Sequence, residues 1–468
     1  RYSYVPNGGH LTYYDVMTGK ARSWDFQQAM DNHANEIAFL FENTFNNGWK
    51  WNLNAKYMDA PRANYVDFGG STISNIRNGV LDGYVLTTDA NGQDPYSGYV
   101  EGRRTWLHFG KVRSFMLTTE LDKQFGNHNL RIGLNEWFYH LNYHSSSFQW
   151  YGTVNNYPTI LYGNYYNPFT GATSRSQTYD FNELSPEYTK GNENKLALYI
   201  TDTWQVTPKF KLLYGGRLEY YRMSADQISL GRYNGFYIGG TNAGGVTVEP
   251  AKVTKDKLNY AATIQGQYAL TDKFGFLADA TVATRFPRIS DYAGTGPTEE
   301  QYNRVTIPLI RGGVYFKNNW IDLTSMITYI SKSNNIDQQN LTNPGTSESK
   351  TVLLIYDIHT LGWTTSAEID PFKGFHLHAL FTWQKPQYKN YNASVTFNNG
   401  NTMSVDADKM IVKEIPQILI EFDPSYQITK DVRAWLSFRY FGKTYANLQE
   451  AFYFNGHWET FGGVNWQV

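Results

Sequence analysis

The sequence predicts an all-β protein, a large antiparallel up-and-down barrel that crosses a membrane with its strands. Three observations predict it. Stretches of about ten residues alternate apolar and polar side chains, as strands with one greasy and one wet face do. Tight turns and long segments alternate along the chain. Aromatic residues make up 17% of the 468 and charged residues only 18%. A net charge of -1 leaves no positive field to collect nucleic acid. The mean hydropathy of -0.52 and the lack of an apolar run of about 18 residues exclude membrane-spanning helices. Cysteine is absent, which removes disulfides and thiolate metal sites.

The alternation is clearest in Trp49, Trp51, Leu53, Ala55 and Tyr57, which share one parity while Lys50, Asn52, Asn54 and Lys56 take the other. Ile37, Phe39 and Phe41 precede it, joined through Asn46-Asn47-Gly48, a hairpin signal. Leu196, Leu198, Ile200 and Trp204 share a face, Thr207-Pro208-Lys209 turns the chain, and Phe210, Leu212, Tyr214, Leu218 and Tyr220 return. Further hairpins are expected at Leu258–Leu270 with Phe276–Phe286, Val305–Phe316 with Trp320–Ile330, Leu361–Ile369 with Phe375–Trp383, and Ile415–Tyr426 with Val432–Phe441. Trp458–Val468 opens another, for about 15 or 16 strands in all.

Tight turns are predicted at Asn46–Gly48, Phe125–Asn129, Thr207–Lys209, Thr271–Gly275, Lys317–Asn319, Pro371–Gly374 and Thr429–Lys430. Long loops are expected at Asp59–Phe109, Leu141–Asn194, Met223–Lys257, Ser331–Thr360 and Lys385–Lys413. In a meander, alternate connections fall at the same end, so one rim carries short turns and the other long loops, the outer-membrane pattern. A soluble sandwich would not be wet on one face of every strand, as Lys195, Thr201, Arg217, Gln265, Asp279 and His378 make this chain. Trp49, Tyr57, Trp137, Trp204, Tyr220, Phe286, Trp320, Tyr329, Trp383 and Tyr440 fall near strand ends, where an interfacial aromatic girdle is expected.

Four segments carry a resemblance to a known family. Leu196–Tyr220 (LALYITDTWQVTPKFKLLYGGRLEY) presents Asp202, Trp204, Pro208, Gly215 and Arg217 in the spacing of a hairpin of the TonB-dependent receptors of the Gram-negative outer membrane. Phe276–Ser290, His359–Gln384, and Ile415-Pro416 with Phe438–Asn447 resemble later hairpins of that family, in its order. The resemblance covers the chain from about Asn35 onward, apart from the long loops. It implies a 22-stranded barrel with a plugged lumen, of which residues 1–468 are expected to be a single partial barrel domain without the plug. It also implies an outer-membrane location, and active import of a scarce nutrient, an iron–siderophore complex first. Glycan, cobalamin or haem import and a structural or adhesive subunit are the alternatives. Implied partners are the TonB complex acting through a plug, a small-molecule nutrient, membrane lipid and lipopolysaccharide, and a surface lipoprotein or other outer-membrane protein.

No catalytic motif is present: G-x-S-x-G, H-E-x-x-H and Walker patterns are missing. No enzyme activity, cofactor or resident metal is expected. His140, Tyr143 and His144 read first as a solvated cluster, and Asp89-Ala-Asn91-Gly-Gln-Asp94 as an Asn/Asp turn rather than a calcium loop, since the later bidentate Glu is lacking. Substrate contacts are expected on long loops held by a rigid scaffold. Leu141–Asn194 is the richest of these, and Tyr143, His144, Phe148, Trp150, Tyr151, Tyr157 and Tyr165 are its candidates, joined by Tyr162 and Tyr166. The same aromatics have a plainer reading as loop packing. Arg217, Glu219, Asp279 and Arg285 are expected to line the lumen and face a plug.

Overall fold

The computed structural model describes residues 10–25, 31–182, 187–228, 234–286, 303–346 and 348–467. Sixteen strands form one sheet. Its path follows chain order from Asn32–Thr44 to His457–Trp466, each strand antiparallel to its predecessor. One strand, Tyr65–Ile76, lies off that path. Gly98–Phe125 pairs Trp49–Ala63 through residues 112–123 and Tyr65–Ile76 through residues 98–108.

Register follows the alternation. Leu134, Leu198, Leu218 and Tyr260 lie side by side in one row, while Gly133, Tyr199, Arg217, Ala261 and Ala283 form the row beside it on the opposite face. The first face is apolar and bare, with Leu198 61% and Leu218 57% exposed. A band of this size is untenable against water and suits lipid. The second face is mainly polar, with Leu213, Leu277, Leu309, Met326, Leu380, Leu419 and Trp435 among its apolar members. It is also the concave one, because side chains reach over an intervening strand. Tyr199 donates to Glu120 Oε1 at 2.6 Å and Arg217 Nη2 to Asn135 Oδ1 at 3.3 Å.

All seven expected tight turns form at one rim, and the side chain at their head fastens several of them. Thr207 Oγ1 accepts from Lys209 N and Phe210 N, and Thr271 Oγ1 from Lys273 N and Phe274 N. Asn318 Oδ1 accepts from Trp320 N and Ile321 N. Gly48 sits at φ 83, where a side chain would be strained.

The opposite rim differs from the sequence expectation. The predicted long loops are largely continuations of the ladder. Gly98–Phe125 and His128–Thr153 run for 28 and 26 residues, whereas about ten cross a bilayer. Leu141–Thr153 is therefore strand, and Ser331–Thr360 is a hairpin of Ile321–Thr342 with Ser349–Ile369 rather than a loop. Beyond the membrane, pairing satisfies backbone groups that a bare loop would leave to water. Small hairpins decorate this rim, His10–Tyr14 with Ala21–Asp25, Gly163–Asn167 with Ala172–Ser176, and Asn392–Thr396 with Thr402–Asp406. The packed hydrophobic clusters gather here too, making a cap on the barrel. Two girdle expectations also fail. Trp137 lies on the polar face beneath the Lys195 ammonium, 4.3 Å from its ring, because it is paired with Lys195 in register. Phe286 is buried with Tyr221 and Met223 in a cap cluster. Of Phe276–Ser290, residues 287–290 lie outside the described residues.

Candidate functional site

The inner wall is a field of paired charges. Arg217 and Glu219 alternate with Gly216 and Leu218, so both point to the concave side, where they pair at 2.8 Å. Glu219 also accepts from Asn259 Nδ2 at 3.2 Å. Asp279 lies opposite Arg311 in register and takes both its oxygens to that guanidinium, at 3.1 and 2.9 Å. Arg285 is exposed on the same face near the cap. All four expected lumen residues thus share the polar wall. Arg311, Arg131, Glu120 and Asp122, which hold further ion pairs of the wall, escaped the sequence reading. Parity is the signal that finds them, since Arg131 stands between Leu130 and Ile132 exactly as a wet residue on a greasy strand should, and Arg131 binds Asp122 at 2.6 Å.

The aromatic candidates sit in the cap, on strand as well as loop. Tyr143, His144, Phe148, Trp150 and Tyr151 ride the His128–Thr153 strand, Tyr165 the Gly163–Asn167 hairpin, and Tyr157 the connection between them. Phe148 and Trp150 are buried in one cluster with Leu11, Tyr13, Trp24 and Leu107, and Trp150 Nε1 donates to Thr105 Oγ1 at 2.9 Å. Tyr151 and Tyr165 are buried in a second cluster, stacked on Tyr179 at 5.3 and 4.4 Å between ring centroids. Tyr162 pairs its backbone with Thr87, and Tyr166 is half exposed. Tyr157 is 65% exposed. The seven do not converge on one pocket.

Tyr143 and His144 point to opposite faces of their strand. Tyr143 donates to Glu187, and its hydroxyl lies 2.6 Å from His108 Nδ1, with Tyr65 stacked on the His108 ring at 4.0 Å. Burial and then the Glu187 contact push the Tyr143 phenol up. Burial opposes ionisation of Glu187 as well, yet the bonds from His108 and Tyr143 outweigh it and hold the carboxyl below its ordinary range. His144 stacks on Phe109 at 5.2 Å and lines a recess with Asp15, Arg62, Asn64, Lys111 and Asn142. Burial, aided by Lys111 and opposed by Asp15, lowers its imidazole. The recess sets Lys111 and two amides beside the Asp15 carboxylate, and Arg62 on its wall is already paired with Asp31 at 2.6 Å. His140 is bound instead to Asn192, at 2.8 Å. The Asp89 carboxylate accepts from the backbone of Asn91, Gln93 and Asp94, the arrangement of an Asx turn.

No family model and no curated protein matches the sequence. Solved structures do match its fold. The copper transporter OprC superposes with a TM-score of 0.56 at 12% identity, over 98% of this chain and 67% of that one. The fold is that of the TonB-dependent receptor barrels. Other matches include the siderophore receptor PiuA from Acinetobacter baumannii, with 10% identity, 100% and 76% coverage and a TM-score of 0.47. The ferric yersiniabactin uptake receptor FyuA from Yersinia pestis gives 12%, 99% and 73%, and 0.45. These neighbours are transporters and receptors, not enzymes. In a barrel of this fold the bare apolar band faces lipid and the ion-paired face lines the lumen.

Proposed function

We propose that this chain is the barrel portion of a TonB-dependent receptor in the outer membrane of a Gram-negative bacterium, importing a scarce nutrient. The observation that carries this reading is the division of one sheet into a bare apolar face and a concave face of paired charges, in a fold shared with a copper transporter. The tight-turn rim is the periplasmic end and the cap is extracellular. A plug inside the lumen would meet Arg217, Glu219, Asp279 and Arg285, and through it the TonB complex would supply the energy. A ferric siderophore, the first cargo the family resemblance implies, is the first ligand to try, and the recess lined by Arg62, Asn64, Lys111, Asn142 and His144 offers it polar contacts beside Asp15. Of the sequence candidates, Tyr157 and Tyr166 are exposed and His144 lines the recess.

The test is uptake of labelled ferric siderophore by cells carrying the intact gene, by cells lacking it, and by cells lacking TonB. Uptake should disappear in both deletions. Uptake that survives both overturns the transport reading, and haem, cobalamin and oligosaccharide taken through the same three strains identify a different cargo. Lys111→Ala should weaken ligand binding about tenfold, the loss of one charged contact.

A further inference from the structure

We propose that the inner wall holds a divalent transition-metal ion near the tight-turn rim, on His378, Glu421 and Asp423. The inference does not depend on what the barrel imports. Two neighbouring strands carry the three ligands, and a third carries Glu368 beside His378. Glu368, His378 and Asp423 occupy one row in register, His378 between the two carboxylates, and Glu421 is one same-face position along from Asp423. His378, Glu421 and Asp423 each offer a ligand atom within 4.8 Å of the others. His378 lies four residues beyond Gly374 of the Pro371–Gly374 turn, which places the group at the lower end of the lumen.

The surrounding contacts fit a ligand set rather than a chance gathering of acids. His378 Nδ1 lies 2.7 Å from Glu368 Oε1, so the ring proton is held there and the Nε2 lone pair is left for another partner. A carboxylate that fixes the far nitrogen of a histidine is the usual support of a metal-bound imidazole. Asp423 has neither hydrogen bond nor ion pair among the described residues, and its Oδ1 is buried. A buried carboxylate oxygen without a hydrogen bond is costly, and an ion in the recess it shares with Arg433 and Arg439 would offset that cost. Glu421 is shared with Arg439 at 2.9 Å, which leaves it a second oxygen for an ion. His376 is engaged at both nitrogens, by Asp370 at 2.9 Å and Glu368 at 3.2 Å, and is not a ligand. One imidazole and two carboxylates, without a thiolate, suit Zn(II), Co(II), Fe(II) or Mn(II) over Cu(I).

The test titrates Zn(II) into the metal-stripped purified protein by calorimetry and follows Co(II) by its visible absorption. Wild type is expected to bind one ion per chain, with a Co(II) spectrum showing nitrogen and oxygen ligation. Asp423→Asn removes a charge that has no partner to lose, so the fold survives, and it should weaken binding at least tenfold. His378→Ala should do the same, and Glu368→Gln should weaken binding about tenfold through the imidazole it supports. His376→Ala should leave affinity within about twofold. The proposal fails if wild type takes up no stoichiometric ion, if Asp423→Asn and His378→Ala bind as wild type does, or if His376 proves the required histidine.

Discussion

The wall and the cap are built from the same strands under opposite rules. In the wall, Leu198, Ile200 and Leu218 are half exposed or more on the outer face, while the inner face carries the ion pairs, and the packed hydrophobic clusters of the described residues lie above it. In the cap, continuations of those strands bury Phe148, Leu107 and Tyr221 almost completely. The sheet has one hydrophobic side where lipid supplies the other half of the contact, and it acquires packed clusters only where water replaces lipid. An exposed aliphatic is therefore correct in the wall, and a buried one is a structural requirement in the cap.

Truncation should separate the two most sharply. Phe148→Ala removes a ring that is 1% exposed and should cost the cap about 3–5 kcal/mol. Leu198→Ala in the wall, 61% exposed, should cost less than about 1 kcal/mol, since only contact with lipid or detergent is trimmed. Hydrogen exchange over residues 145–182 and over the wall strands reads both. Equal loss of protection at the two positions would erase the distinction.

Charge insertion is next in size and turns the comparison to the two faces of the wall. Ile200 stands on the outer face midway between Trp204 and the row of Leu196 and Tyr220. Ile200→Arg should therefore cost about 2–4 kcal/mol in bilayers, as for a cation at the membrane midplane. Gln265→Arg puts the same charge on the inner face beside Asp279 and should be neutral to within about 0.5 kcal/mol. Refolding into lipid vesicles measures both. A tolerated arginine at Ile200 would mean that the bare face does not meet lipid.

The same contrast explains what was legible in the sequence. In the wall, period-two alternation reports a real difference between two solvents, so strand pairing, tight turns and the inward set Arg217, Glu219, Asp279 and Arg285 could be read directly. The cap defeats that logic because both faces of its strands are covered. Phe148, Trp150 and Tyr151 interrupt the alternation and look like an aromatic recognition loop, whereas the structure shows them closing on Tyr13, Trp24 and Tyr179, partners far away in sequence. Nor could local pattern place Glu187 against His108, which needs the register of three strands. The His378 row was half visible, since His378 falls on the wet parity, but Asp423 joins it only through pairing.

The smallest expected effect is electrostatic and belongs to the cap alone. His144 faces Asp15 and Lys111, with Arg62 in the same recess, and its folded imidazole titrates below the ordinary value of 6.5. The unfolded chain therefore takes up that proton first, and the contribution of His144 is complete above 6.5 and declines as the pH falls below it. Glu187 faces His108 and Tyr143 and is held ionised below its ordinary 4.5, so its contribution is complete above 4.5 and is lost as the pH falls through its folded value. Acidification should thus loosen the cap in two steps while the wall's tight turns stay protected. His144→Ala should abolish the upper step and Glu187→Gln the lower one, as read by protease cleavage of the cap across the pH range. Cleavage that stays flat from neutrality to below 4.5, or that persists unchanged in both variants, would mean that these two groups do not couple the cap to pH.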